Sequence, residues 1–282
     1  MNNFLKTCVL CCFPWVVCAQ KTASCCALPV AQGMAQFASD EVFLRAHASP
    51  LPFCFDSANG EMIRFYTPDD MTGNGYLLRS PKPSDKWLLV YQEWWGLNDY
   101  IKKQAEAYWR DLGDVNVLAV DMYDGKVTDN RDEAGKLMSG TDPERLEAIM
   151  QGAIFYVGPK AKIVNVGWCF GGGLSLQSAI LGAKHTRGSV MYYGMPEKDV
   201  AKLKTLNSDV LCFIATRDKW ITPQVGQDFV KNMAAAGKKV TVVEYDAEHA
   251  FANPSNPNHD ATLSADAYGR SLKYMKKRLK KR

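Results

Sequence analysis

Three residues of this 282-residue chain have the types and spacing for acyl transfer through a thiol. The first is Cys169, in Gly167-Trp168-Cys169-Phe170-Gly171-Gly172-Gly173, directly after the apolar segment Ile163-Val164-Asn165-Val166. A buried strand, a tight turn and a small-residue helix start together give the form Gly-x-nucleophile-x-Gly, which lifts one side chain above a sheet. The flanking glycines remove the Cβ clashes that such a turn would otherwise suffer. The helix N-terminus that follows favours a thiolate and leaves the Phe170 N–H free to bind an oxyanion. The same string also fits a glycine-rich turn around an inert buried cysteine, and the rest of the chain decides between the two.

A thiol nucleophile needs a base, and the base needs an orienting acid. Both follow in chain order. The apolar run Val210-Leu211-Cys212-Phe213-Ile214-Ala215 reads as a strand covered on both faces, and it ends in Thr216-Arg217-Asp218. Pro223 opens a helical stretch to about Ala236. The strand 240–245 then exits into Glu248-His249-Ala250-Phe251. Cys169, Asp218 and His249 therefore all fall where loops leave parallel strands, the edge at which open α/β sheets bind ligands. Of four histidines, His249 alone fits this position in the pattern. A carboxylate, Glu93, directly follows the apolar run Trp87-Leu88-Leu89-Val90-Tyr91, which puts it at the same edge. The backbone N–H groups of Phe170 and Trp94 are the expected oxyanion donors.

The elements that must position these groups are legible from periodicity. A short hairpin (Met62–Tyr66, Gly75–Leu78) precedes strands near 87–92, 115–120, 163–168, 189–193, 209–215 and 240–245. Helical stretches separate them, including Asp99–Asp111 and Arg131–Leu137. Alternating strand and helix predicts an α/β fold with a mostly parallel, doubly wound sheet and helices on both faces. Ala265, Tyr268, Leu272, Met275 and Leu279 give the last helix one apolar face. The expected organisation is a leader at 1–19, an extension at 20–60 and one domain at 61–282. The extension, with His47, Pro50 and Pro52, reads as an irregular segment that wraps the domain or shields the site.

From about Met62 onward the chain resembles the dienelactone hydrolases (carboxymethylenebutenolidases) of the α/β-hydrolase superfamily. The resemblance rests on Tyr91-Gln92-Glu93-Trp94-Trp95-Gly96-Leu97-Asn98, Val120-Asp121-Met122-Tyr123-Asp124-Gly125, Gly167 to Gly173, Tyr192-Tyr193-Gly194, Asp218 and His249-Ala250-Phe251. It implies a Cys-His-Asp thiol hydrolase acting on an ester or lactone, with Glu93 interacting with the resting thiol and assisting its ionisation. The expected substrate-binding residues are Trp95, Trp168, Tyr123, Lys126, Tyr193, Trp220, Phe251 and Asn253. One departure bears on substrate. Where dienelactone-cleaving members carry an arginine after the histidine, this chain has Asn253, and Lys126 stands near a second family arginine. Lysine does not replace arginine at a bidentate carboxylate site, so an apolar or aromatic ester is at least as well supported as dienelactone. Two other classes use the same residues: a non-catalytic small-molecule-binding relative, and a thiol sensor or acyltransferase.

The amino terminus reads differently. Cys8 to Val17 is too short to span a bilayer, and Val17-Cys18-Ala19 before Gln20 resembles a cleavage site, so export is expected. Thr22-Ala23-Ser24-Cys25 leaves a lipoprotein signal open, and membrane contact is expected only through such an anchor. Of nine cysteines, Cys54 could pair with Cys25 or Cys26, and spacing does not decide which. The chain has no HExxH, Walker A or GxGxxG pattern, so neither metal nor cofactor is expected. Residues 273–282 hold seven basic groups in a chain of net charge +4, so the remainder is slightly acidic. A basic helix end is favoured by the helix dipole, and nucleic-acid binding has no other support. The expected partner is a small-molecule ester or lactone; sequence leaves the oligomeric state open.

Overall fold

The computed structural model describes residues 33–280. The expected leader, Cys25 and Cys26 lie outside these residues, and with them the pairing expected for Cys54, which is exposed. A short helix α1 (Glu41–Ala46) opens the described elements. The hairpin β1 (Gly60–Tyr66) and β2 (Thr72–Leu78) follows, then β3 (Lys86–Tyr91), α2 (Asp99–Leu112), β4 (Asn116–Asp121), α3 (Arg131–Gly140) and α4 (Pro143–Val157). The chain continues through β5 (Lys162–Trp168), α5 (Phe170–Gly182), β6 (Thr186–Tyr192), α6 (Val200–Lys204), β7 (Val210–Ala215), α7 (Pro223–Ala235), β8 (Val240–Tyr245) and α8 (Ala261–Leu279).

The eight strands form one sheet in the order β1-β2-β4-β3-β5-β6-β7-β8. β2 runs antiparallel to both of its neighbours, and the other five pairings are parallel. This is the mostly parallel sheet that the alternating elements predict. α2 packs on α8, while α4 and α5 pack together. The central strands β3, β5, β6 and β7 are apolar runs because helices cover them on both sides. Among the described residues no helix is long and apolar enough to cross a membrane.

The sharp turn after β5 depends on missing side chains. Cys169 has φ +54°, a region disfavoured for any residue with a Cβ. A Cβ on Gly167 would fall on the carbonyl of Gly171, and one on Gly171 would fall on the carbonyls of Tyr91 and Gln92. The N-terminus of α5 therefore lies flush against the end of β3. The Cys169 N–H donates to Tyr192 O at 3.0 Å, which ties the turn to the end of β6.

Two ion pairs made by the buried Arg145 fix the loop after β4. Arg145 on α4 donates to Asp124 Oδ1 at 2.5 Å and to Asp69 Oδ2 at 2.9 Å, and it also reaches Thr67 Oγ1 and the Thr72 carbonyl. Asp121 accepts the Tyr123 N–H, closing the turn that carries Tyr123.

The extension departs from expectation. It is not wholly irregular: Asp40 accepts the N–H groups of Val42 and Phe43 at 2.7 and 3.2 Å, and this cap starts α1. α1 rests against α3 and buries Phe43 completely.

Candidate active site

Cys169, Asp218 and His249 come from the exits of β5, β7 and β8 and meet at one rim. His249 Nε2 lies 3.3 Å from Cys169 Sγ, and His249 Nδ1 lies 2.5 Å from Asp218 Oδ2. The other carboxylate oxygen of Asp218 accepts the N–H groups of Trp220 and Ile221, both at 2.9 Å. The acid is thus held from both sides. Burial works against the Asp218 charge, but the imidazolium beside it and these donors lower its pKa. His249 is shifted the opposite way. Burial opposes its charge, yet Asp218 and Cys169 together raise its pKa well above the ordinary value. The arrangement can hold a proton between sulfur and imidazole with the ring's other N–H committed to the carboxylate.

The Phe170 N–H, at the start of α5, and the Trp94 N–H, in the loop after β3, have no acceptor among the described residues. Unpaired N–H groups of this kind at a helix start are open to an acceptor from outside the chain.

Glu93 is buried at the same rim, but it is not bonded to the thiol. Asn253 Nδ2 donates to Glu93 Oε2 at 2.8 Å, while Asn253 Oδ1 accepts from the Ser255 N–H and hydroxyl, both at 2.8 Å. This corrects two expectations: Glu93 is held by an amide instead of the resting thiol, and Asn253 is committed to protein partners. Burial raises the Glu93 pKa to about 7, against the lowering effects of His249 and the Asn253 hydrogen bond.

The remaining expected residues divide. Tyr193 lies edge-on to His249 with ring centroids 5.0 Å apart, and Trp220 lies edge-on at 5.9 Å. Tyr123 stacks at 6.0 Å from Phe170, with its buried hydroxyl unpartnered, as is that of Tyr193. Phe251 fills the space between Tyr193 and Tyr245 behind the histidine, and Trp95 packs on Trp94. Trp168 is a correction: its ring meets Tyr108 and Tyr192. Strand alternation is the cause, since Asn165 bonds Ser178 on α5 and Trp168, three residues on, faces the opposite layer. Lys126 is a second correction. It stands exposed on the turn after β4, and its ammonium has no ion pair or hydrogen bond among the described residues.

Sequence reasoning missed His47. This residue caps the C-terminal end of α1, is 1% exposed, and its ring centroid lies 5.1 Å from that of His249 and 4.7 Å from Trp94. Its Nδ1 bonds the Phe43 carbonyl at 2.8 Å, so Nδ1 carries the proton and Nε2 is a bare, unpartnered acceptor. Burial and the neighbouring His249 charge push the His47 pKa down to about 3. Phe43 meets Trp94 and Trp220 edge-on at 5.4 and 5.1 Å. α1 therefore closes over the rim, and Cys169 and His249 are each 1% exposed. The only sequence signal was the Asp40 cap with Phe43 and His47 one helical turn apart. Ligand-type atoms of His47, Cys169 and His249 lie within 4.8 Å of one another, the one group among the described residues placed to hold a metal ion.

The chain is similar to known proteins over most of its described residues. The family model described as "Dienelactone hydrolase family" matches residues 74–279. Protein usf of Aquifex pyrophilus is 28% identical over 234 residues, spanning 78% of this chain and 99% of that protein. A carboxymethylenebutenolidase of a Pseudomonas species is 28% identical over 116 residues, 41% of this chain and 48% of the relative. A solved dienelactone hydrolase-like promiscuous phosphotriesterase from metagenomic libraries superposes with a TM-score of 0.67 at 20% identity, covering 78% of this chain and 99% of that one. At that identity the superposition speaks for the fold.

Proposed function

Because this chain belongs to the dienelactone hydrolase family, we propose that it is a thiol hydrolase that cleaves an ester or lactone through Cys169, His249 and Asp218. The observation that carries this reading is the unbroken path from Cys169 Sγ to His249 Nε2 at 3.3 Å and from His249 Nδ1 to Asp218 at 2.5 Å. His249 holds the proton of the sulfur as an imidazolium, and the thiolate attacks the carbonyl carbon to form a C–S bond. The negative oxygen that develops meets the free N–H groups of Phe170 and Trp94. The intermediate collapses by breaking the C–O bond, and His249 returns its proton to the leaving oxygen. Water, deprotonated by His249, then cleaves the thioester and releases the acid. Thiol chemistry suits aryl esters and enol lactones, whose leaving groups need little protonation.

The proposed substrate class is a neutral, apolar or aromatic ester. Asn253 is already engaged by Glu93 and Ser255, and Lys126 lies out on the surface, so neither is free to bind a substrate carboxylate. The side chains near the histidine are aromatic: Phe43, Tyr193 and Trp220. A panel of aryl esters, alkyl esters and enol lactones tests the reading on wild type and Cys169→Ala. The expected result is turnover by wild type alone, with a transient acyl adduct on Cys169 that clears with time in intact-mass spectra. Turnover that survives in Cys169→Ala, or an adduct that never clears, overturns it.

A further inference from the structure

We propose that His47, Cys169 and His249 form a three-ligand site for a thiophilic divalent ion of the zinc class, with occupancy silencing the nucleophile. The three-ligand site stands on geometry alone, and only the silencing of the nucleophile rests on the hydrolytic reading. The three ligand atoms lie within 4.8 Å of one another, with Sγ to His249 Nε2 at 3.3 Å. A tetrahedral zinc ion with Zn–S of about 2.3 Å and Zn–N of about 2.0 Å needs ligand atoms roughly 3.5 Å apart. Only a shift of about an ångström by the farthest atom is required. His47 sits at the end of a six-residue helix, the element best able to supply it.

Each imidazole is already oriented for ligation. A metal-bound histidine characteristically donates its other ring N–H to a carboxylate or a backbone carbonyl, which fixes the ring and its tautomer. His249 Nδ1 faces Asp218, and His47 Nδ1 faces the Phe43 carbonyl at 2.8 Å. His47 Nε2 therefore offers a free lone pair, and His249 Nε2 offers one once the proton it shares with Cys169 Sγ leaves. His47 Nε2 is buried without a partner, a state that costs free energy unless something fills it. Nothing in the acyl-transfer steps uses this atom.

One thiolate and two imidazoles suit zinc, cobalt or copper over magnesium or calcium, which prefer oxygen. Three protein ligands leave a fourth position open, as in catalytic zinc sites. The unpartnered indole N–H of Trp94, beside His47, is a donor for whatever fills it. Binding forms one metal–sulfur and two metal–nitrogen bonds. It releases one proton, because sulfur and His249 Nε2 share a single proton whichever atom carries it. The sulfur lone pair then belongs to the ion and cannot attack a carbonyl.

The test is X-ray absorption at the zinc edge on the wild-type chain, loaded with one equivalent of zinc after chelator treatment. The expected first shell has one sulfur near 2.3 Å and two imidazole nitrogens near 2.0 Å, with cobalt giving a sulfur-to-metal charge-transfer band that Cys169→Ala removes. Zinc affinity by competition with a chromophoric chelator is expected to fall more than about a hundredfold in His47→Leu, beyond the 10–100-fold typical of losing an outer partner. His47→Gln, closer in polarity, is expected to fall likewise, with circular dichroism verifying the fold of both. A first shell without sulfur, a shell with fewer than two imidazoles, or unchanged affinity in folded His47 variants overturns the proposal.

Discussion

Two buried groups beside the thiol titrate in opposite senses, and replacing Glu93 separates them. Glu93 has its pKa raised by burial from 4.5 to about 7, and it faces His249, Tyr123 and Tyr193, with Asn253 donating to it. Between those pH values the folded chain holds a proton that the unfolded chain has lost. Stability therefore falls as pH rises, by 1.36 kcal/mol per pH unit. His47 runs the other way. Burial and the His249 charge lower its pKa from 6.5 to about 3, so below pH 6.5 the unfolded chain holds a proton that the folded chain lacks. Stability then rises with pH by the same slope.

Between pH 4.5 and 6.5 the charges of Asp218 and His249 change little. His249 is protonated in both states there, because its folded pKa lies above 6.5, and Asp218, lowered from 3.8, is ionised in both. In wild type the Glu93 and His47 slopes oppose each other. Glu93→Gln keeps an acceptor for Asn253 and removes the falling slope. It is expected to gain about 2 kcal/mol of stability from pH 4.5 to 6.5 relative to wild type. Urea unfolding with a chelator present, read at half-unit pH steps, measures this difference. Wild-type and Glu93→Gln curves that run parallel across the window refute the reasoning.

Three further outcomes are expected. Asp218→Asn leaves His249 in the wrong tautomer, and ester turnover falls on the order of ten-thousandfold with the chain still folded, read by kcat on an aryl ester. Gly171→Ala drives a Cβ into the carbonyls of Tyr91 and Gln92 and costs at least about 1–3 kcal/mol, read as a lower urea midpoint at unchanged slope. Phe43→Ala empties the contact of α1 with Trp94 and Trp220, costs about 3–5 kcal/mol, and exposes Cys169 to faster alkylation by a bulky maleimide.

The central strands were legible because burial on both faces leaves unbroken apolar runs. The 163–168 segment differs from β5 by one residue, and 240–245 coincides with β8. Strand order was not legible. β4 lies between β2 and β3, and nothing local in Asn116–Asp121 specifies that neighbour. Side-chain facing was legible only where alternation was followed through: Trp168 and Cys169 are adjacent in sequence, yet the turn at Cys169 sends them to different surroundings. His47 was the largest omission. A histidine in an extension rich in proline and alanine has no strand exit to locate it, and only the docking of α1 makes it a neighbour of His249.

The substitution at residue 253 links substrate class to the state of Glu93. An arginine there would present a permanent cation to Glu93, and a cation a few ångströms away lowers a carboxyl pKa by 1–3 units. Asn253 offers one neutral N–H instead, at 2.8 Å, and burial prevails, leaving Glu93 near 7. Among the described residues the other positive group at the rim is His249, which is bracketed by Asp218 and Cys169. A substrate carboxylate entering this site would meet a half-ionised Glu93 and no unpaired cation. A neutral ester brings no charge to desolvate, and the aromatic surfaces of Phe43, Tyr193 and Trp220 can cover its apolar part. The residue that loosens the resemblance to dienelactone-cleaving relatives is thus the same one that donates a hydrogen bond to Glu93. The pH slope of Glu93→Gln and the ester preference should therefore change together in Asn253→Arg.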